Sequence, residues 1–200
     1  MGRSDIVNWP NLLTISRIVL TPLFLTMLFA ETWYWKSLSV VVFGLASLTD
    51  FYDGRLARSG NQVTALGRFL DPLADKILVT AALVALVWGR LVYFWLVVPI
   101  IVRDVLITIM RMHSIYRGRQ MATSKLAKWK TALQLFSVVV ILFGMGLQEV
   151  LEHFSWDIGL PLGGPEFKLL ANGLMASVLL LTLLSGIHYV FRTSFEVNKP

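Results

Sequence analysis

Residues 50–75 read DFYDGRLARSGNQVTALGRFLDPLAD, and they join two apolar runs, 38–48 before them and 77–88 after them. Asp50 and Asp53 stand at i and i+3, Asp71 and Asp75 at i and i+4. On α-helices each pair therefore shares one face, and two facing helices would bring four carboxylates together. Aspartate in or beside a membrane segment costs roughly 2.5–3.5 kcal/mol on insertion scales, so such a cluster requires a compensating partner. Gly54 and Ala57 lie on or near the Asp50 face and Gly67 lies one turn before Asp71. That face can admit a bulky ligand close to the backbone, or it can serve small-residue helix packing.

The surrounding chain sets the environment. Of 200 residues, 56% are hydrophobic and 15% charged, too apolar for a soluble domain and too long for a single anchor. Six apolar segments approach the length needed to cross a bilayer: 12–29, 36–58, 66–88, 91–112, 126–147 and 167–191. The expected fold is all-α, a polytopic membrane protein with six transmembrane helices forming a single domain over residues 1–200. Residues 1–10, with Ile6, Val7 and Trp9 before Pro10, suit a short interfacial segment. The first apolar run is too long for a signal-peptide core and lacks a cleavage pattern near Ala30, so it is read as a retained helix.

Basic residues give the orientation. Arg55, Arg58 and Arg68 fall between the second and third segments, and Arg117, Arg119, Lys125 and Lys128 between the fourth and fifth. Those loops are expected on the cytoplasmic side, with both termini. Trp33, Tyr34, Trp35, Trp88, Tyr93, Trp95 and Trp156 mark the opposite interface. The net charge of +6 thus follows topology and does not call for a nucleic-acid partner. Residues 148–166, rich in Gly and Pro, read as a plain outer loop.

Cysteine is absent, so a metal would sit on oxygen or imidazole ligands. His113, His153 and His188 are scattered without spacing to a carboxylate set. Four clustered carboxylates suit two divalent cations, Mg2+ or Mn2+, with positions left for a phosphate ligand. The competing reading pairs the aspartates with Arg55, Arg58 and Arg68 in a solvated rim. A third makes them an ion path in a small transporter, although they lie at segment ends and no repeated halves are visible.

Asp50, Asp53, Gly54, Ala57, Arg58, Gly67, Asp71 and Asp75, with eight residues between Arg58 and Gly67, resemble the signature of the CDP-alcohol phosphotransferase family at every fixed position. The resemblance implies a six-helix membrane fold, usually homodimeric, in which a CDP-linked lipid donates its phosphatidyl group to an alcohol and CMP is released. It implies that Asp50, Asp53 and Asp71 ligate two metals with Asp75 nearby. Asp75 would also act as the catalytic base on the acceptor hydroxyl, while Gly54, Ala57, Arg58 and Gly67 would line the nucleotide site.

Cations elsewhere bear on the acceptor. Arg103 and Arg111 in the fourth segment, with Lys128 and Lys130 opening the fifth, suit an anionic ligand such as a small phosphorylated alcohol. Alternatively, Arg103 pairs with Asp104 and the lysines merely obey the positive-inside rule. The stretches 10–17 (PNLLTISR), Arg103-Asp104 and 128–131 (KWKT) resemble the branch of that family that makes phosphatidylglycerol phosphate in the bacterial cytoplasmic membrane. The branch implies CDP-diacylglycerol as donor, glycerol 3-phosphate as acceptor and an active site facing the cytoplasm. Inositol phosphate, serine or phosphatidylglycerol are the other acceptors the family suggests. In that arrangement Asn11, Thr14 and Arg17 face the donor, with Arg17 on phosphate. Equally, Asn11 and Thr14 cap or pack the first helix and Arg17 snorkels to the interface.

Overall fold

A computed structural model describes residues 9–59, 65–116, 125–156, 159 and 162–197, with side chains described over a smaller set. Six α-helices account for nearly all of them: α1 Trp9–Leu28, α2 Trp33–Ser59, α3 Ala65–Trp88, α4 Phe94–Tyr116, α5 Lys125–His153 and α6 Pro165–Val197. No strand occurs among the described residues. The helices coincide with the six apolar segments because a chain with few polar faces satisfies its backbone groups most completely within helices. By length and composition, α5 over Leu126–His153 and α6 over Pro165–Ile187 are apolar enough to cross a membrane. The proposed interfacial segment lies mostly outside the described residues, since α1 begins only at Trp9.

Several boundaries differ from the sequence reading by three to six residues, and two of the shifts have a visible cause. The expected outer loop 148–166 is shorter, because α5 continues to His153 and α6 starts at Pro165. Polar residues do not break α5 there: Gln148 Nε2 donates to Glu152 Oε1 at 2.6 Å, and Lys36 of α2 pairs with Glu149. The fourth helix begins at Phe94, three residues later than expected, because α3 ends in a tight left-handed turn. Arg90 has φ 57°, its N–H donates to Val87 O at 2.9 Å, and the Leu91 N–H donates to Leu86 O at 3.1 Å. This is the Schellman arrangement that satisfies terminal carbonyls. Ser155, φ 53°, closes α5 the same way, with Trp156 N–H on Leu151 O at 2.9 Å.

The chain divides into two compact units, Met1–Ala85 with Ile141–Leu162, and Leu86–Val140 with Gly163–Pro200. In the first, α1 packs on α2, with Phe24 and Phe43 rings 5.3 Å apart. The end of α5 lies against the start of α2, where a Cβ on Gly146 would stand 3.0 Å from Val40 Cγ2. Trp33 stacks on His153 at 4.7 Å and meets Phe154 edge-on, so His153 joins an aromatic cluster. In the second unit, α4 packs on α6. Asn172 of α6 clasps the turn before α4: its Oδ1 accepts from Tyr93 N–H at 2.8 Å, and its Nδ2 donates to Leu91 O at 3.1 Å.

Candidate active site

The motif of residues 50–75 spans the last part of α2, the link between the helices and the first part of α3. Asp50, Asp53, Gly54, Ala57 and Arg58 lie on α2, and Gly67, Asp71 and Asp75 lie on α3. Both stretches are continuous α-helix, so the i, i+3 and i, i+4 spacings place each aspartate pair on one helix face. The side chains of these eight residues, and those of Asn11, Thr14 and Arg111, lie outside the described set.

Arg17 is described. It lies on α1 and is 2% exposed, which removes the reading in which it snorkels to the interface. Its carbonyl accepts from Thr21 Oγ1 at 2.9 Å. A buried arginine on an apolar helix is costly unless its donors are engaged.

The cations of the second unit separate into two groups. Lys130, on α5, has no exposed surface and pairs with Asp104 of α4. It also donates to Gln134 Oε1, one turn along its own helix, at 2.6 Å. Arg103 bridges α4 and α6: Nη1 donates to Asp104 Oδ1 at 3.2 Å, and Nη2 to Ser185 Oγ at 2.9 Å. Asp104 is 5% exposed and gathers both cations on a single oxygen. Lys128 is exposed, two residues from Lys130 and so on a different face of α5. Arg103 and Lys130 are thus brought together, and Lys128 is not among their partners.

Gln134 and Ser185 were absent from the sequence reading. The available signal was weak: each is an isolated polar residue within an apolar helix, and Gln134 stands at i+4 from a lysine. Nothing local pointed Ser185 at Arg103, since 82 residues separate them.

The model of the CDP-alcohol phosphatidyltransferase family matches residues 7–188. A Mycobacterium tuberculosis protein named probable phosphatidylglycerophosphate synthase is 34% identical over 200 residues, covering 98% of this chain and 87% of the relative. A Bacillus subtilis protein named CDP-diacylglycerol–glycerol-3-phosphate 3-phosphatidyltransferase is 39% identical over 148 residues, covering 68% of this chain and 76% of its own. One of the same name from Cereibacter sphaeroides is 35% identical over 152 residues, covering 72% and 68%.

Proposed function

Because this chain belongs to the CDP-alcohol phosphatidyltransferase family, we propose that it transfers the phosphatidyl group of CDP-diacylglycerol to glycerol 3-phosphate, giving phosphatidylglycerol phosphate and CMP. The observation that carries this reading is the match across 98% of the chain to a relative named for that synthase. In the reaction, the acceptor hydroxyl oxygen bonds to the phosphatidyl phosphorus, the pyrophosphate P–O bond breaks, and CMP leaves with the electron pair. Asp75 takes the hydroxyl proton as general base.

Asp50, Asp53 and Asp71, with Asp75 beside them, would hold two Mg2+ or Mn2+ ions. The donor set fits: it is all carboxylate oxygen, carried on regular helical turns, in a chain without cysteine. Bound there, the cations supply charge stabilisation for the pyrophosphate and the departing CMP. Gly54, Ala57 and Gly67 let the nucleotide approach the helix backbone, and Arg58 offers it a cation. Asn11, Thr14 and Arg17 serve the donor side, Arg17 through phosphate; its burial supports a fixed role over a solvated one.

Arg103, Arg111, Lys128 and Lys130 select a phosphorylated acceptor. The convergence of part-buried Arg103 and buried Lys130 on Asp104 supports this, and it favours glycerol 3-phosphate over serine. The setting we propose is the bacterial cytoplasmic membrane, with six spans, both termini and the active site on the cytoplasmic side, and a homodimeric assembly. Apolar α5 and α6 support the membrane setting, as do exposed Val19, Leu45, Trp95, Ile109, Leu169 and Leu180. An ion-path role is disfavoured, because α2 and α3 are continuous where the aspartates lie, whereas transporters bind at broken helices.

The test is CMP release by purified protein given CDP-diacylglycerol, Mg2+ or Mn2+, and a panel of acceptors. Release with glycerol 3-phosphate is expected. Release with inositol phosphate, serine or phosphatidylglycerol, and none with glycerol 3-phosphate, would overturn the acceptor. Asp75→Asn is expected to lower turnover by about 100-fold or more while retaining metal binding, and wild-type turnover would remove Asp75 as base.

A further inference from the structure

The meeting of Arg103, Asp104 and Lys130 is energetically odd. Buried charge is costly in an apolar chain, and apolar replacements of similar volume are often as stable or more so. Asp104 nonetheless draws a guanidinium from its own helix and an ammonium from α5 onto one oxygen, Oδ1. Two like charges so close would repel one another without that carboxylate. Each cation is further fixed on its far side, Arg103 by Ser185 and Lys130 by Gln134. Within the guanidinium, Nε is buried and has no hydrogen-bond partner among the described residues. It faces the Gly186 position, where an added Cβ would stand 4.0 Å away. A buried arginine donor in that state lacks an oxygen.

We propose that Asp104 is the positioning residue of the acceptor-phosphate site, holding Arg103 and Lys130 as one preassembled cation pair for the phosphate of the acceptor. Ser185 and Gln134 set the orientation of that pair. The proposal rests on the reading above that Arg103 and Lys130 bind the acceptor. In this role Asp104 transfers no proton to or from the substrates and touches no reacting atom. It keeps two mutually repelling cations in one orientation before the acceptor arrives, so less ordering remains at binding. An interhelical tie holding α4, α5 and α6 together would use the same contacts, but removing it would lower stability and both substrates' handling together.

Kinetics of the full-length enzyme separate these roles. Asp104→Asn should raise KM for glycerol 3-phosphate about tenfold or more, the scale of a lost charged hydrogen bond, and leave KM for CDP-diacylglycerol within about twofold. Inorganic phosphate, as a competitive inhibitor against glycerol 3-phosphate, should weaken in parallel, and Asp104→Glu should recover most of the loss. An unchanged acceptor KM in Asp104→Asn overturns the proposal. So does a joint rise of both KM values with a lower melting temperature that Asp104→Glu does not restore. Should Asp104→Asn fail to fold, Ser185→Ala decides: a rise in acceptor KM alone, by about two- to fivefold, supports the positioning role, and no rise overturns it. Arg103→Ala and Lys130→Ala keep the two readings apart. If they raise acceptor KM and Asp104→Asn does not, positioning fails alone; if neither raises it, the acceptor site itself is elsewhere and both readings fall.

Discussion

Ser155 and Arg90 occupy the left-handed turn position that closes α5 and α3, with φ 53° and 57°. Side chains with a Cβ are disfavoured there, by roughly 1–2 kcal/mol per residue, and glycine is the usual occupant. Ser155 is exposed and no side-chain hydrogen bond holds it among the described contacts. Ser155→Gly should therefore stabilise the protein by about 0.5–1 kcal/mol, the unfolded chain's extra freedom offsetting part of the gain. A melt in detergent should show a rise of roughly 1–4 °C, and a fall would mean that the serine has a role of its own. Charge at the residue scale follows a different rule. Arg17, Arg103 and Lys130 are legible as chemistry-bearing, because ionisable groups in apolar helices are expensive, and adjacent Asp104 is legible as a partner for Arg103, which it is. That Lys130 joins the same carboxylate is not legible, since Asp104 and Lys130 are 26 residues apart.

At the scale of elements, the six helices follow from the apolar runs, and their ends depend on residues that hydropathy does not weigh. The Gly- and Pro-rich stretch 148–166 reads as a loop, yet its first residues continue α5, where Gln148 pairs with Glu152 and Lys36 with Glu149. The same stretch of α5 approaches α2 closely at Gly146. A Cβ there would meet Val40, a β-branched side chain with little rotamer freedom, so Gly146→Leu should push the helices apart and cost about 1–3 kcal/mol. Val40→Ala should recover part of that loss if the contact is the cause. A double-mutant cycle read by thermal melts would detect it, and strict additivity would locate the clash elsewhere.

For the whole molecule, the testable feature is topology. The proposed orientation rests on the distribution of arginine and lysine, which predicts residues 117–124 on the cytoplasmic side and the start of α6 on the other. Because the chain has no cysteine, single introduced thiols report without background. Glu166→Cys should react with a membrane-impermeant maleimide in intact cells, and Thr123→Cys should react only after permeabilisation. The reverse pattern would invert the orientation and put the proposed site on the side away from a cytoplasmic pool of the water-soluble acceptor. The exposed apolar side chains on both units are consistent with lipid around them.

Taken by itself, the sequence determined the helical class, the six segments and the aspartate motif. All three rest on local periodicity and on the cost of bare backbone or charge in an apolar chain, which act within a few turns. Only the tertiary structure decided that Arg17 and Lys130 are buried, and that Asp104 gathers Arg103 and Lys130 with Gln134 and Ser185 behind them. The deciding contacts, Lys130 to Asp104 and Arg103 to Ser185, join residues 26 and 82 apart on different helices. A buried charge must find a partner in space, and its identity depends on how the helices pack.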